Sequence, residues 1–441
     1  MAAQQPPYDA APEAQPPYYR VRFEASTTPG QLDLPVQYTV WIPPGVEQLR
    51  GVVVHQHGCG EGSCKSGLTG AFDLHWQALA ARHDCALLAA SYEQPQDADC
   101  QRWCDPRKGS DAAFQRGLAE LAERSGHAEL ASVPWALWGH SGGGYWSGIL
   151  TLEHPDRVAA AWLRSGVPLV TPRPDRPSSQ VVTIPGEPLP VPVMLNLGTK
   201  EGVTDTSTKF AGVWPGVQAF AAALRATGSP VSIAIDPLTG HECGNQRYLA
   251  IPWLNEMLTR RLPSEPGQPL RPIDVAAGEL VPIAALATVP PHVTPVAAAD
   301  FSGDPATMAW LPGGELTPLW QQYVADTNVA DPTPPPAPRR VTLQDGTLRW
   351  EAAADLESGV RQFIVRRDGQ RIALVPEKPK NPRGRPLFQG LQYSDTPEQP
   401  LATMTYRDPE WTAGSSAVYD VRALNTAGLK SPPTKATPPT Q

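Results

Sequence analysis

Three absences narrow what this 441-residue chain can do. No run of eighteen apolar residues exists, so the sequence offers no bilayer-spanning helix. Basic charge is not in excess: the formal net charge of -8 argues against nucleic acid or an anionic membrane as a partner held by bulk electrostatics. The six cysteines also lack the C-x2-C spacing of zinc knuckles. Cys59 and Cys64 are spaced C-x4-C, and Cys100 and Cys104 C-x3-C, so a structural zinc is the weaker reading and no metal or cofactor is expected. Disulfides between these two loops are the stronger one, with Cys243 pairing on the same rim and Cys85 a small core residue; the pairing itself is not legible. An even cysteine count fits an oxidising compartment, so a secreted or periplasmic protein is expected; a monomer is expected as well. The opening "MAAQQPPYDAAPEAQPPYY" has neither the basic nor the apolar region of a signal peptide and reads like a mature N-terminus behind an added methionine.

What is abundant is proline, 52 residues of it, and its clusters divide the chain. Residues 1–18 are polar and proline-rich, the composition of a loose tail. From 19 to 262, short apolar runs alternate with helix-like segments. "RVRFEAS" and "VQYTVWI" alternate apolar and polar, as half-buried antiparallel strands do. "GVVVHQH", "CALLAAS", "PWALWG", "RVAAAWL", "VMLNLG" and "VSIAID" are nearly continuous, as strands buried on both faces of a parallel sheet are. Helices are expected over 71–83, 109–125, 142–154, 215–227 and 245–261, which makes this part a doubly wound α/β domain. From 263 to 335 the pattern dissolves into proline-rich wrapping, one short helix in "GELTPLWQQYVAD" and a stiff linker, "DPTPPPAPRR". From 336 to 437 short alternating segments with turn signals read as an antiparallel β-sandwich.

Five glycines crowd the stretch around Ser141 in "WALWGHSGGGYWSGIL". The run before it reads as a strand and the run after it as a helix, so Gly139-His140-Ser141-Gly142-Gly143 fits G-x-S-x-G on a strand-to-helix turn. Such a turn holds a serine in strained backbone, while neighbours without side chains let strand and helix approach. The helix start aims amides at negative charge developing beside Ser141. A serine nucleophile needs a base, and the base an orienting acid. His140 adjoins the serine and points elsewhere, whereas "DPLTGHECG" delivers His241 in a loop after a late strand. Glu201 just follows the strand "VMLNLG"; Asp205 is the alternative acid and Asp236 a more distant one. The second oxyanion donor should follow the first buried strand, at "HQHGCGEGSC", where the amide of Cys59 would join that of Gly142. His55 and His57 in that stretch raise a metal reading, but the residues after them lack the aspartate and histidine a metallohydrolase needs, so His57 is read as bracing the loop. Trp103, Trp146 and Trp214 fall near strand ends or helix starts and are candidates for touching substrate. The insertion at 167–192, where a lid would sit, reads as a fixed loop beside the site.

With these motifs in place, residues up to 262 resemble the α/β-hydrolase superfamily: the strand pattern, "HGCG" after an early strand, "GHSGGG", "HPDRV" after the elbow helix, and the late acid and histidine. "HGCG" is also similar to secreted esterases and polyhydroxyalkanoate depolymerases, although those often carry a "GLSAGG"-like elbow, which leaves the substrate open. The resemblance implies Ser141 as nucleophile, His241 as base and Glu201 as acid. Within 336–437, "YDVRALNTAGLKS" resembles the late-strand signature of fibronectin type III modules, with Trp350 at their early core tryptophan. That resemblance implies a spacer or binding module without catalytic residues. The expectation is a serine carboxylic-ester hydrolase acting on a bulky, polymeric or surface-bound ester. A serine peptidase on the same scaffold and a non-catalytic adhesion protein are the alternatives.

Overall fold

The computed structural model describes residues 11, 13–173, 179–328, 330–377, 395–397 and 404–438, so most of the expected N-terminal tail lies outside the described residues. Eight strands build the main sheet: β1 (Tyr18–Phe23), β2 (Val36–Trp41), β3 (Gly51–Gln56), β4 (Cys85–Tyr92), β5 (Trp135–His140), β6 (Val158–Arg164), β7 (Val193–Gly198) and β8 (Val231–Asp236). Their order across the sheet is β1-β2-β4-β3-β5-β6-β7-β8. β1, β2 and β4 pair antiparallel at one edge, and every pairing from β4 through β3 to β8 is parallel. The apolar runs explain the difference. β3 to β8 are buried at every position between helical layers, whereas β1 alternates and leaves part of its length exposed.

The helices are α1 (Glu61–Ser66), α2 (Leu74–Arg82), α3 (Gln101–Cys104), α4 (Ser110–Ser125), α5 (Gly142–Glu153), α6 (Val213–Ala226) and α7 (Arg247–Arg261). Because β3, β5, β6, β7 and β8 run parallel, the loops that follow them gather at one edge of the sheet, where such folds place their ligands.

The stretch 263–335 is more ordered than its proline content suggests. β9 (Glu279–Pro282), β10 (Val296–Ala297) and β11 (Met308–Leu311) form a small antiparallel sheet, because Met308–Leu311 bury all four side chains and the Met308 carbonyl accepts from Arg225 Nε at 2.8 Å. α8 (Leu316–Asp326) packs back on the body, where Trp320 Nε1 donates to the Ile233 carbonyl at 2.8 Å.

Two antiparallel sheets follow: β12 (Arg339–Gln344), β13 (Thr347–Glu351) and β16 (Met404–Arg407) in one; β14 (Val360–Arg367), β15 (Gln370–Val375), β17 (Tyr419–Asn425) and β18 (Thr434–Lys435) in the other. They share a core in which the Trp350 ring meets Phe363 edge-on at 5.4 Å. The segment joining them to the body is not a bare spacer. Asp331 accepts from Asn425 Nδ2 at 2.8 Å and from the Ser358 hydroxyl. A second junction forms where residues 395–397 enter the α/β body. There Arg247 pairs with both Asp73 and Asp395 at 3.0 Å, Gln246 Nε2 donates to Asp395 at 2.9 Å, and Thr69 donates to the Pro397 carbonyl at 2.6 Å. Among the described residues no helix is long and apolar enough to cross a membrane.

Candidate active site

The turn between β5 and α5 carries the most strained residue of the elbow. Ser141 has φ 54 and ψ -115, a conformation that a non-glycine side chain adopts only when its surroundings enforce it. Its neighbours enforce it by crowding. A side chain at Gly139 would run into the Gly143 backbone, and one at Gly142 would meet the sulfurs of Cys59 and Cys100. Glycine is therefore required on both sides of the serine for close approach.

Three loops then converge. His241 Nε2 lies 2.8 Å from Ser141 Oγ, and His241 Nδ1 lies 2.6 Å from Glu201 Oε1. A carboxylate only accepts, so Nδ1 carries the proton toward Glu201 and Nε2 is left to accept from the serine hydroxyl. Glu201 is fully buried, and its other oxygen accepts from the Ser165 hydroxyl and the Gly198 amide, each at 2.7 Å. Hydroxyl, imidazole and carboxylate in one hydrogen-bonded row can turn a serine into a nucleophile, with the charge that develops on the imidazole balanced by the acid.

The loop carrying His241 is braced from below. The buried Arg164 at the end of β6 donates to Asn196 Oδ1 at 2.8 Å, to Thr239 Oγ1 at 2.9 Å and to the carbonyls of Gly240 and Glu242. His140 Nε2 donates to the His241 carbonyl at 2.7 Å, so the elbow histidine holds the backbone of the other.

Ser141, Gly142, Cys59 and His241 line a cleft of about 380 Å³ together with Tyr145, Phe210, Val213 and Arg173. The 167–192 insertion contributes Val167, Leu169, Arg173 and Ser179 to its wall and is tied down where Tyr145 donates to the Gln180 carbonyl at 3.0 Å; residues 174–178 lie outside the described residues.

Several expectations need correction. Asp205 does not approach His241: its carboxylate accepts from the Ser207 hydroxyl at 2.6 Å, and that bonding holds it below the usual carboxylate range. Trp103 and Trp146 are 0% exposed and do not border the cleft, because their indoles fill the core and donate inward, to Gln94 and Ser110. Trp214 is also buried; its amide donates to the Glu201 carbonyl while Gly212, Val213 and Gly216 face the cleft. Cys59 is disulfide-bonded to Cys100, joining the loop after β3 to the turn before α3, while Cys243, expected on the rim, is buried off the cleft. The sulfurs of Cys59, Cys100 and Cys104 lie within 4.8 Å of one another, but two of the three are bonded to each other and cannot act as thiolate ligands.

His55 and His57 each pack among aromatic rings, His55 stacked on Trp138 at 4.0 Å and His57 edge-on to Trp103 at 4.9 Å. Burial pushes His57 down to about 4, so it is neutral and donates to the Gly58 carbonyl at 2.7 Å. Ser165, Arg164 and Phe210 also belong to the site but do not stand out in the sequence. Ser165 and Arg164 carry a faint signal, since "LRSG" ends a buried parallel strand at the ligand-binding edge. Phe210 carries none.

No family model and no curated protein matches the chain. Solved structures do resemble it. A thermostable esterase is 16% identical at a TM-score of 0.33, covering 50% of this chain and 54% of its own. Acylaminoacyl peptidase of Pyrococcus horikoshii is 15% identical at 0.40, covering 57% and 42%. An S-formylglutathione hydrolase from Agrobacterium tumefaciens is 12% identical at 0.36, covering 56% and 95%. The chain thus spans about half of the first two. At TM-scores of 0.40 and below these likenesses carry no chemistry across, and the site stands on its own geometry.

Proposed function

We propose that this chain is a serine hydrolase of the α/β-hydrolase kind that cleaves carboxylic esters through Ser141, His241 and Glu201. The observation that carries the reading is the continuous row from Ser141 Oγ through His241 to the buried Glu201, opening on the cleft. Ser141 Oγ attacks the acyl carbon while His241 Nε2 takes its proton. The amides of Gly142 and Cys59 receive the oxyanion, each such donor being worth about 3 kcal/mol of barrier. Nε2 then protonates the departing alcohol, and water, activated by the same nitrogen, releases the acid and restores the serine.

The two C-terminal sheets, as a fibronectin type III-like sandwich, fit a bulky, polymeric or surface-bound ester, an argument from modular analogy. The Cys59–Cys100 disulfide favours a secreted or periplasmic setting. The test compares short p-nitrophenyl esters with peptide anilides, using wild type and Ser141→Ala. Ser141-dependent ester turnover is expected. Turnover confined to anilides would make the chain a peptidase, and none on either would make it a binding protein.

A further inference from the structure

The loop after β7 grips His241 twice. Near its start, Glu201 accepts from the imidazole in the ring plane at 2.6 Å. Near its end, the Phe210 ring lies face to face on the imidazole, with centroids 3.6 Å apart and planes 4° from parallel. The loop is closed on itself so that both grips share one frame. Trp214 N donates to the Glu201 carbonyl at 3.0 Å, Thr208 Oγ1 to the Lys200 carbonyl at 3.2 Å, and Val213 N to the Phe210 carbonyl at 3.0 Å. Gly202, at φ 101, brings the acid's end of the loop against the Ala211 carbonyl, where a side chain would not fit. From another direction the His140 ring stands 5.1 Å from that of His241.

A phenyl face carries the negative part of the ring quadrupole. A neutral imidazole stacked on it gains dispersion, whereas an imidazolium also gains cation–π attraction, which the ring shares with Lys209 Nζ at 4.9 Å from its centroid. In the proposed reaction His241 becomes cationic only while the tetrahedral species exists, so this contact strengthens along the path to the transition state, as a catalytic contact must. The same face blocks rotation of the imidazole out of line with Ser141 Oγ.

We propose that Phe210 is a positioning residue for His241, holding the imidazole in line with Ser141 and favouring its charged form. The inference rests on the serine-hydrolase reading above. In the full chain with p-nitrophenyl acetate, Phe210→Leu keeps apolar bulk but removes the π face. It should lower kcat about fivefold, the rate equivalent of one such contact, and leave KM within about twofold. Phe210→Tyr should restore kcat. The His241 ring protons should resonate upfield in wild type and Phe210→Tyr and lose that shift in Phe210→Leu; should Phe210→Leu not fold, Phe210→Met carries the same test. A wild-type kcat in Phe210→Leu, a loss carried entirely by KM, or no rescue by tyrosine would overturn the proposal. Turnover lost in Ser141→Ala but unchanged in Phe210→Leu removes this proposal alone. Turnover absent from wild type, or persisting in Ser141→Ala, removes the hydrolase reading and this proposal with it.

Discussion

Two of the buried charge clusters in the α/β body serve opposite ends. One is Glu201 with His241 at the cleft; the other is Arg247 between Asp73 and Asp395, where α2, α7 and the 395–397 segment meet. Both bury carboxylates completely or nearly so. Burial pushes Asp73 up to about 6, outweighing the Arg247 guanidinium beside it, and the nearby Asp395 carboxylate adds to the rise. Taken alone, such a perturbation would mark Asp73 as a functional candidate. What separates the clusters is where their bonds end. The Glu201 row terminates at a serine hydroxyl lining an open cleft, whereas the Arg247 cluster turns its bonds inward, to Trp76, Gln246 and the backbone of Asp395. A perturbed group becomes reactive only when its network leaves one atom facing substrate.

That contrast can be broken from either side. Replacing Ser141 with alanine should lower kcat about 10⁶-fold with little change in melting temperature. Glu201→Ala should cost about 10⁴-fold through loss of imidazole orientation, while Asp205→Ala leaves turnover unchanged in the same ester assay. Near-wild-type rates for Glu201→Ala would reassign the acid. On the other side, Arg247→Met strands two buried carboxylates and should cost about 3–5 kcal/mol in chemical denaturation, while the fraction that folds keeps its kcat. A stable variant with lost activity would erase the distinction drawn between the clusters.

The smallest effect concerns pH. The folded value of Asp73, about 6, is raised above its unfolded value near 4, so the stability tied to its protonated form is fully present below about 4 and is lost as pH rises through about 6. The melting temperature of Asp73→Asn, taken as a difference from wild type, should therefore climb between those limits. A flat difference would show that Arg247 compensates the charge.

Much of this was legible from the chain alone. The apolar runs of β3 to β8 report burial on both faces, a local property, and the elbow around Ser141 combines glycine spacing with a strand and a helix that are themselves local. His241 followed from loop order. What stayed hidden depends on distant pieces meeting. Asp395 is a charge in a polar stretch until it is placed beside Arg247 and Asp73, and Phe210 is an isolated aromatic until its loop folds over His241. The tryptophans were misplaced for the converse reason. Proximity to a strand end does not say whether an indole turns to the cleft or the core, and Gln94 and Ser110, the inward partners of Trp103 and Trp146, come from other segments.

The central claim is that Ser141 is a nucleophile activated by His241. Treatment with a fluorophosphonate, followed by peptide mapping with mass spectrometry, tests it without knowledge of the natural ester. A single phosphonyl adduct on Ser141 is expected, absent in Ser141→Ala and formed much more slowly in His241→Ala. An unmodified Ser141 in folded wild-type protein, or labelling as fast without His241 as with it, would show that Ser141 is not a nucleophile activated by His241.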